Sequence, residues 1–315
     1  MQIHHHWTGL SPAMRGASVA MGNFDGVHLG HRSVIDAARA AGAEAGAPLG
    51  VVTFEPHPRE YFAKAAGKTF PPFRLMNAEA RAARLARLGV AVLYELPFGA
   101  TLAGLSPDIF ARDVLAGGLG ARHVTVGADF RFGKDRAGDA DSLADLGRRY
   151  GFGVTAAPLV GTGGQDFSST AIRRALSEGR PRDAEAMLGH WHRIEGEVLH
   201  GEKRGRTLGF PTANMSLDGL HLPRLGVYAV LAEVKSGPHI GTYRGVASLG
   251  VRPMFGENTP NLETYLFDFD GDLYGEHLSV ALVEFLRDEA KFDTLPALIA
   301  QMEDDAARAR AALPA

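Results

Sequence analysis

The chain has no cysteine among its 315 residues. That excludes a disulfide framework, a thiolate metal site and a cysteine nucleophile, and it fits a reducing cytosol. No apolar stretch approaches the ~18 residues that cross a bilayer. The opening segment MQIHHHWTGLSPAMRG lacks the basic stretch and apolar run of a signal peptide. A cytoplasmic protein with no membrane partner is therefore expected. Neither sign of charge dominates: Lys and Arg total 33, Asp and Glu 36, for a net charge of -3. The whole chain has no attraction to nucleic acid, although a local basic patch stays open. Internal repeats are absent, as is low-complexity sequence beyond a modest enrichment in alanine.

What is present is ordinary globular composition, 45% hydrophobic and 22% charged. At roughly 100–200 residues per domain, the length suggests two domains. His4, His5 and His6 raise the question of a metal site, but no partner ligands accompany them and a solvated N-terminal segment is expected. Apolar strand-like runs at 17–22, 49–54, 90–96, 122–127 and 152–160 alternate with helical patterns at 29–43, 77–89, 106–117 and 139–151. This alternation predicts an α/β domain with a Rossmann-like parallel sheet covered on both faces. The pattern changes near residue 190. Strand-like segments at 193–201, 226–237, 242–250, 261–269 and 277–286 follow, and only 294–313 is helical again, capped by Thr294 with Leu295, Leu298, Ile299 and Met302 as its apolar stripe. That predicts a mainly antiparallel β-barrel with a terminal helix. The boundary is expected between Gly179 and Arg193, giving domains 1–185 and 186–315.

The segment Gly22-Asn23-Phe24-Asp25-Gly26-Val27-His28-Leu29-Gly30-His31 follows the first strand. Ligands of open parallel sheets bind there, beyond the carboxyl ends of strands. Gly22 and Gly26 permit close backbone approach. His28 and His31 share one face of a helix's first turn, and a helix N-terminus attracts phosphate. H-x-G-H alone reads equally well as a helix start with two surface histidines. The small and polar residues before it make poor core and favour a triphosphate site. Ser168-Ser169-Thr170-Ala171-Ile172-Arg173-Arg174 opens a further helix, where cap hydroxyls and a guanidinium suit phosphate oxygens; alone it is only a capped helix. In the second half, Arg204-Gly205-Arg206-Thr207-Leu208-Gly209-Phe210-Pro211-Thr212-Ala213-Asn214 reads as a phosphate-binding loop or as a Gly/Pro-rich hairpin. It is not a Walker A loop, whose G-x-x-x-x-G-K-[ST] is absent. Thr212 and Asn214 offer oxygens suited to Mg²⁺.

H-x-G-H together with S-S-T-x-x-R resembles the nucleotidyltransferase superfamily. Thr53-Phe54-Glu55-Pro56-His57-Pro58 and the run from Val126 to Lys134 narrow the resemblance to the FAD synthetase module of bacterial bifunctional riboflavin kinase/FAD synthetases. The P-T-A-N segment, Gly226-Val227-Tyr228, Asn261-Leu262-Glu263-Thr264-Tyr265, Leu273-Tyr274-Gly275 and the stretch from Phe285 to Phe292 resemble the same family's kinase domain. The resemblance spans about residues 17–310. It implies phosphorylation of riboflavin to FMN by the C-terminal domain and adenylylation of FMN to FAD by the N-terminal one, with ATP and Mg²⁺. It further implies His28, His31 and Arg173 as charge-stabilising groups of adenylyl transfer and Glu263 as the base of the kinase. Contacts to nucleotide or flavin fall on Gly22, Phe24, Asp25, Gly26, Asp129, Phe130, Ser169, Thr170, Gly201, Arg204, Gly209, Pro211 and Arg287, with Phe292 against the flavin ring and the metal on Thr212 and Asn214. Partners are the small molecules ATP, riboflavin, FMN and FAD, and the expected state is a monomer or weak homo-oligomer.

The chain departs from the family where N-I-G-x-R-P-T-F is common: it has Ser248-Leu249-Gly250-Val251-Arg252-Pro253-Met254-Phe255, and Tyr265 replaces a frequent histidine. Met254 motivates an alternative, an FMN adenylyltransferase with a flavin-binding, kinase-inactive C-terminal module. A flavin- or RNA-binding regulator with decayed sites is a third reading, and His28, His31, Arg173 and Glu263 argue against it.

Overall fold

The computed structural model describes every residue except 163–164, 201–208, 255–256 and 315, with backbone alone at 162, 165, 252–254, 257 and 258. The chain folds into two compact units, Met1–Pro71 with Ala78–Ser168, and Pro72–Asn77 with Ser169–Ala315.

The first unit is built on a six-stranded parallel sheet: β1 (Gln2–His4), β2 (Ser18–Met21), β3 (Leu49–Glu55), β4 (Val92–Pro97), β5 (His123–Gly127) and β6 (Gly153–Ala157), in the order β1-β4-β3-β2-β5-β6. Ser18–Met21 is buried throughout and β3 nearly so, because helices cover both faces. Gly50 is needed within β3: a Cβ there would lie 2.9 Å from Val19 Cγ1 and 3.1 Å from the Tyr94 ring. From β2 the chain runs to β3 on one side and, later, returns to β5 on the other. The carboxyl end of β2 is thus the topological switch point, where ligand crevices form. Helix α1 (Leu29–Ala45) begins there and stops at Gly46, which takes φ 59.

Helices α2 (Pro58–Ala65), α3 (Ala78–Arg87), α4 (Ala100–Ala103), α5 (Pro107–Ile109) and α6 (Ala140–Tyr150) complete the unit. Three local expectations are corrected. The N-terminal segment is not simply solvated: Gln2, Ile3 and His4 pair with Val92, Leu93 and Tyr94 as an edge strand whose side chains stay largely exposed. The expected α-helix at 106–117 continues from α5 as a π-helix, Phe110–Leu119, closed by Gly120 at φ 60. The apolar run 152–160 leaves the sheet at Ala157, and β7 (Gly161–Thr162) pairs with β8 (Gln165–Asp166) beyond it.

In the second unit, β9 (Arg193–Glu197), β10 (Thr212–Ser216), β11 (Gly226–Val234), β12 (Gly241–Met254), β13 (Glu257–Leu266) and β14 (His277–Arg287) form an antiparallel sheet ordered β10-β13-β12-β11-β14-β9. Leu199 N donates to Asn214 O at 2.8 Å, so the chain after β9 meets β10 and nearly closes a barrel. Alternate residues fill the interior, among them Met215, Val230, Leu249, Leu262 and Leu282. Helices α7 (Ser169–Ser177) and α8 (Pro181–Leu188) share a small core with Leu75. The terminal helix α9 (Leu295–Ala312) is capped by Thr294 as expected. Of its expected stripe Leu295 is 55% exposed, while Leu298, Ile299 and Met302 are half-buried and their face continues to the buried Asp305 and Ala309. Asp305 turns inward there to receive Arg287.

Candidate active sites

The loop from Gly22 to His28 carries the first candidate site. Phe24 and Val27 hold positive φ of 52 and 44, beside Gly26 at 87. Left-handed backbone at non-glycine residues costs on the order of 1–3 kcal/mol each and concentrates at functional loops. Phe24, Asp25 and Val27 are buried, so their side chains turn inward. Thr53 Oγ1 donates to Asn23 O at 3.2 Å, tying the end of β3 to this loop. His28 caps α1, its Nδ1 accepting from His31 N at 3.2 Å. That bond fixes the tautomer: a neutral His28 carries its proton on Nε2. The His28 and His31 rings stack with centroids 3.6 Å apart. Burial, and then the neighbouring His28, hold His31 well below its usual pKa. His31 is therefore neutral at pH 7, and its Nδ1 makes no hydrogen bond among the described residues. A Cβ on Gly30 would be crowded, 3.1 Å from the His28 ring and 3.2 Å from Phe167 O. Ser169 follows Phe167 by two residues.

Asp129 is exposed at the end of β5, its Oδ1 3.1 Å from where a Cβ on Gly127 would lie. Phe130 is half-buried and stacks against Phe132. Two groupings were not foreseen from the sequence. Phe98, just after β4, packs edge-on to Phe54, Tyr61 and Phe62 with centroids 5.5–5.9 Å away, and Phe62 is 55% exposed. Arg81, 2% exposed, bridges Glu55 at 3.0 Å and Glu95 at 3.1 Å at the ends of β3 and β4. The aromatic pattern was legible as residues but not as a cluster, because its members come from three elements.

Ser169 and Thr170 stand in the first turn of α7, within the second unit. Arg173 Nε donates to Phe73 O at 2.6 Å, its guanidinium lies 5.0 Å from the Phe73 ring, and its own carbonyl bonds His221 Nε2 at 3.0 Å.

The second site is on the outer face of the barrel. Residues two apart in a strand share a face, so Thr212 and Asn214 sit together while Ala213 and Met215 point to the core. Asn214 pairs in register with Glu263, and Glu263 with Ser248 of β12. Asn214 Nδ2 donates to Thr212 O at 3.3 Å, and Asn214 Oδ1 accepts from Asn261 Nδ2 at 2.9 Å. Thr212 and Asn214 also border a cleft whose walls include core residues Val198, Ala213, Leu266 and Leu273 together with Thr264. Thr264 Oγ1, buried there, has no hydrogen-bond partner among the described residues. Gly209 turns at φ 83 just before Pro211. Gly201 and Arg204 lie outside the described residues. Arg287 is engaged by Asp305 of α9 through Nε at 2.9 Å and Nη2 at 2.7 Å, and Phe292 lies 5.8 Å from its guanidinium. Among the described residues no group of three or more His, Asp or Glu could hold a metal. Mg²⁺ fits the Thr212–Asn214 pair nonetheless: the ion takes one or two protein oxygens and completes its shell with substrate phosphates and water, and Asn214 presents an oriented Oδ1.

Residues 10–171 match the FAD synthetase family and residues 188–313 the riboflavin kinase family. A bifunctional riboflavin kinase/FMN adenylyltransferase of Pseudomonas fluorescens is 41% identical over 312 residues, covering 99% of this chain and 97% of that one. Its counterpart in Escherichia coli (strain K12) is 39% identical, over 94% and 92%. The chain belongs to the bifunctional riboflavin kinase/FMN adenylyltransferase family. A solved structure described as a macrolide-efflux protein from Streptococcus pneumoniae is 32% identical with a TM-score of 0.81 over 96% of both chains. This member of the family has no helix, among the described residues, long and apolar enough to cross a membrane. Tyr265 lies in register with Thr212, its ring 5.1 Å from Phe210, and Ser248 is in register with Glu263. The Met254 side chain lies outside what the structure describes.

Proposed function

We propose that the chain makes FAD from riboflavin in two ATP-dependent steps, with the kinase in residues 186–315 and the adenylyltransferase in residues 1–185. The observation that carries this reading is that the FAD synthetase and riboflavin kinase families match successive stretches of one chain, residues 10–171 and 188–313.

In adenylyl transfer, an FMN phosphate oxygen attacks the α-phosphorus of ATP; the P–O bond to the β-phosphate breaks and pyrophosphate leaves. The attacking phosphate is already anionic at pH 7, so no general base is required. The demand is alignment and charge stabilisation. His28 Nε2–H and the neutral His31 serve as hydrogen-bond donors to the phosphates. Gly22, Phe24, Asp25 and Gly26 line the nucleotide, while Ser169, Thr170 and Arg173 supply hydroxyls and positive charge to the departing pyrophosphate. Asp129 and Phe130 contact ligand from the end of β5. The Phe54, Phe62 and Phe98 surface, apolar and partly open at the carboxyl ends of β3 and β4, suits a flat flavin ring.

In the kinase, Glu263 takes the proton of riboflavin's primary hydroxyl, whose oxygen attacks the γ-phosphorus as ADP leaves. Thr212 and Asn214 would hold Mg²⁺, which when bound neutralises charge on the transferred phosphoryl group. Gly209 and Pro211 contact the ATP phosphates, a role the family resemblance also gives Gly201 and Arg204, and Arg287 borders the flavin end. The kinase-inactive alternative is disfavoured because Thr212, Asn214 and Glu263 share one face. The chain acts as a cytoplasmic monomer or weak homo-oligomer on small molecules, not nucleic acid. Incubating it with riboflavin, ATP and Mg²⁺ and separating the flavins by chromatography should give FMN and then FAD; a folded sample producing neither would overturn the proposal.

A further inference from the structure

Asn261 is buried, 3% exposed, and sits two residues before Glu263 on the same face of β13. Its amide has two hydrogens. One goes to Asn214 Oδ1 at 2.9 Å, and the nitrogen also approaches Glu263 Oε1 at 3.4 Å. Asn214 is pinned at its other end, where Nδ2 donates to Thr212 O at 3.3 Å. The network therefore determines which end of each amide faces which way. With the donor of Asn214 committed to a backbone carbonyl, its oxygen must be the group presented, and one of that oxygen's lone pairs is committed to Asn261. The other is available to a cation. Glu263 receives the same amide from the opposite side. A single side chain thus spans the oxygen proposed for the metal and the carboxylate proposed as base.

We propose that Asn261 is a positioning residue of the kinase, orienting Asn214 and Glu263 together. The inference rests on the reading of Thr212, Asn214 and Glu263 as the kinase site. Without Asn261 the Asn214 amide keeps only its longer bond to Thr212 O, at 3.3 Å, and is less firmly held against turning its NH₂ outward, which repels a cation. Outer-shell hydrogen bonds of this kind change metal affinity by about 10–100-fold when removed. Asn261's own Oδ1 has no partner among the described residues, so it supplies no competing constraint.

The test uses the full-length chain with ADP and Mn²⁺ as spin probe, counting free Mn²⁺ by electron paramagnetic resonance. Asn214→Ala should abolish one class of Mn²⁺ site. Asn261→Ala and Asn261→Leu, the second keeping the buried volume, should weaken that class by about 10-fold or more at unchanged stoichiometry. Kinase kcat should fall while the KM for riboflavin holds, and FAD formation from supplied FMN should be unaltered. Wild-type Mn²⁺ affinity in both Asn261 variants would overturn the positioning role. So would loss of sites with normal affinity in the remainder, since that marks a folding defect. If Asn214→Ala itself leaves Mn²⁺ binding intact, the underlying reading of the cation site fails instead.

Discussion

At the residue scale, the first site depends on what a glycine leaves out. A methyl on Gly30 would press the His28 ring, 3.1 Å away, and the Phe167 carbonyl, 3.2 Å away. The His28 ring is fixed by its bond to His31 N and cannot yield without losing the cap. Gly30→Ala is therefore expected to lower FMN adenylylation at least about 10-fold, the effect of losing ~1.4 kcal/mol of transition-state stabilisation, while riboflavin phosphorylation stays normal. Separate assays of the two steps check this, and an unimpaired adenylylation would remove the packing argument for the glycine. A second residue-scale effect concerns acid. His192 is buried, its Nε2 has no partner among the described residues, and burial, followed by His221 and His190, pushes its pKa down to about 3. Above the unfolded value of ~6.5 both states are neutral and stability is fully present. Below it the unfolded chain takes up a proton that the folded chain refuses. Stability then falls by up to ~1.4 kcal/mol per pH unit as pH drops from about 6.5 towards 3. His31 acts with the same sign in the first unit. Thermal unfolding between pH 7 and pH 5 should show the loss, and His192→Leu should flatten it in the second unit; an equal slope in the variant would refute the assignment.

At the element scale, most of the framework was legible because buried parallel strands are continuous apolar runs and barrel strands are broken by Gly, Pro and Asp. The exceptions have physical reasons. β1 carries no apolar pattern, since an edge strand with exposed side chains is held by backbone pairing alone. The π-helical stretch Phe110–Leu119 differs from an α-helix by one residue per turn, which apolar spacing does not resolve over ten residues. Helix α2 starts from a cap that sequence rules do not anticipate: His57 Nδ1 accepts from Arg59 N while Glu60 returns to His57 N. Asp139 is the conventional counterpart, accepting from Ser142 N at 2.9 Å while Ser142 Oγ accepts from Asp139 N at 2.7 Å. Asp139→Ala should destabilise the first unit by ~1 kcal/mol, measured by urea unfolding, and should leave both activities unchanged at 25 °C. A loss below ~0.3 kcal/mol would mean the cap is redundant with the helix's tertiary packing. The site residues divide in the same way. His28, His31, Thr212, Asn214 and Glu263 stand out as motif letters, whereas Asn261 matters only once register sets it beside Asn214.

At the scale of the whole molecule, each unit has its own core, one around the parallel sheet and one inside the barrel. The loop and helix start carrying His28 and His31 belong to the first unit, and the strands carrying Thr212, Asn214 and Glu263 to the second. FMN is the product of one step and the substrate of the other, so the two steps need share only a small, water-soluble intermediate. His28→Ala should then stop FAD synthesis and spare phosphorylation, and Glu263→Ala should do the reverse. The stronger consequence lies in mixing them. An equimolar mixture of His28→Ala and Glu263→Ala, given riboflavin and ATP, should form FAD after a lag in which free FMN accumulates, because one variant still makes FMN and the other still consumes it. Time-resolved flavin chromatography follows all three species. A mixture that halts at FMN, although Glu263→Ala converts FMN supplied at the concentration reached, would mean that FMN made in the barrel stays bound to the chain that made it.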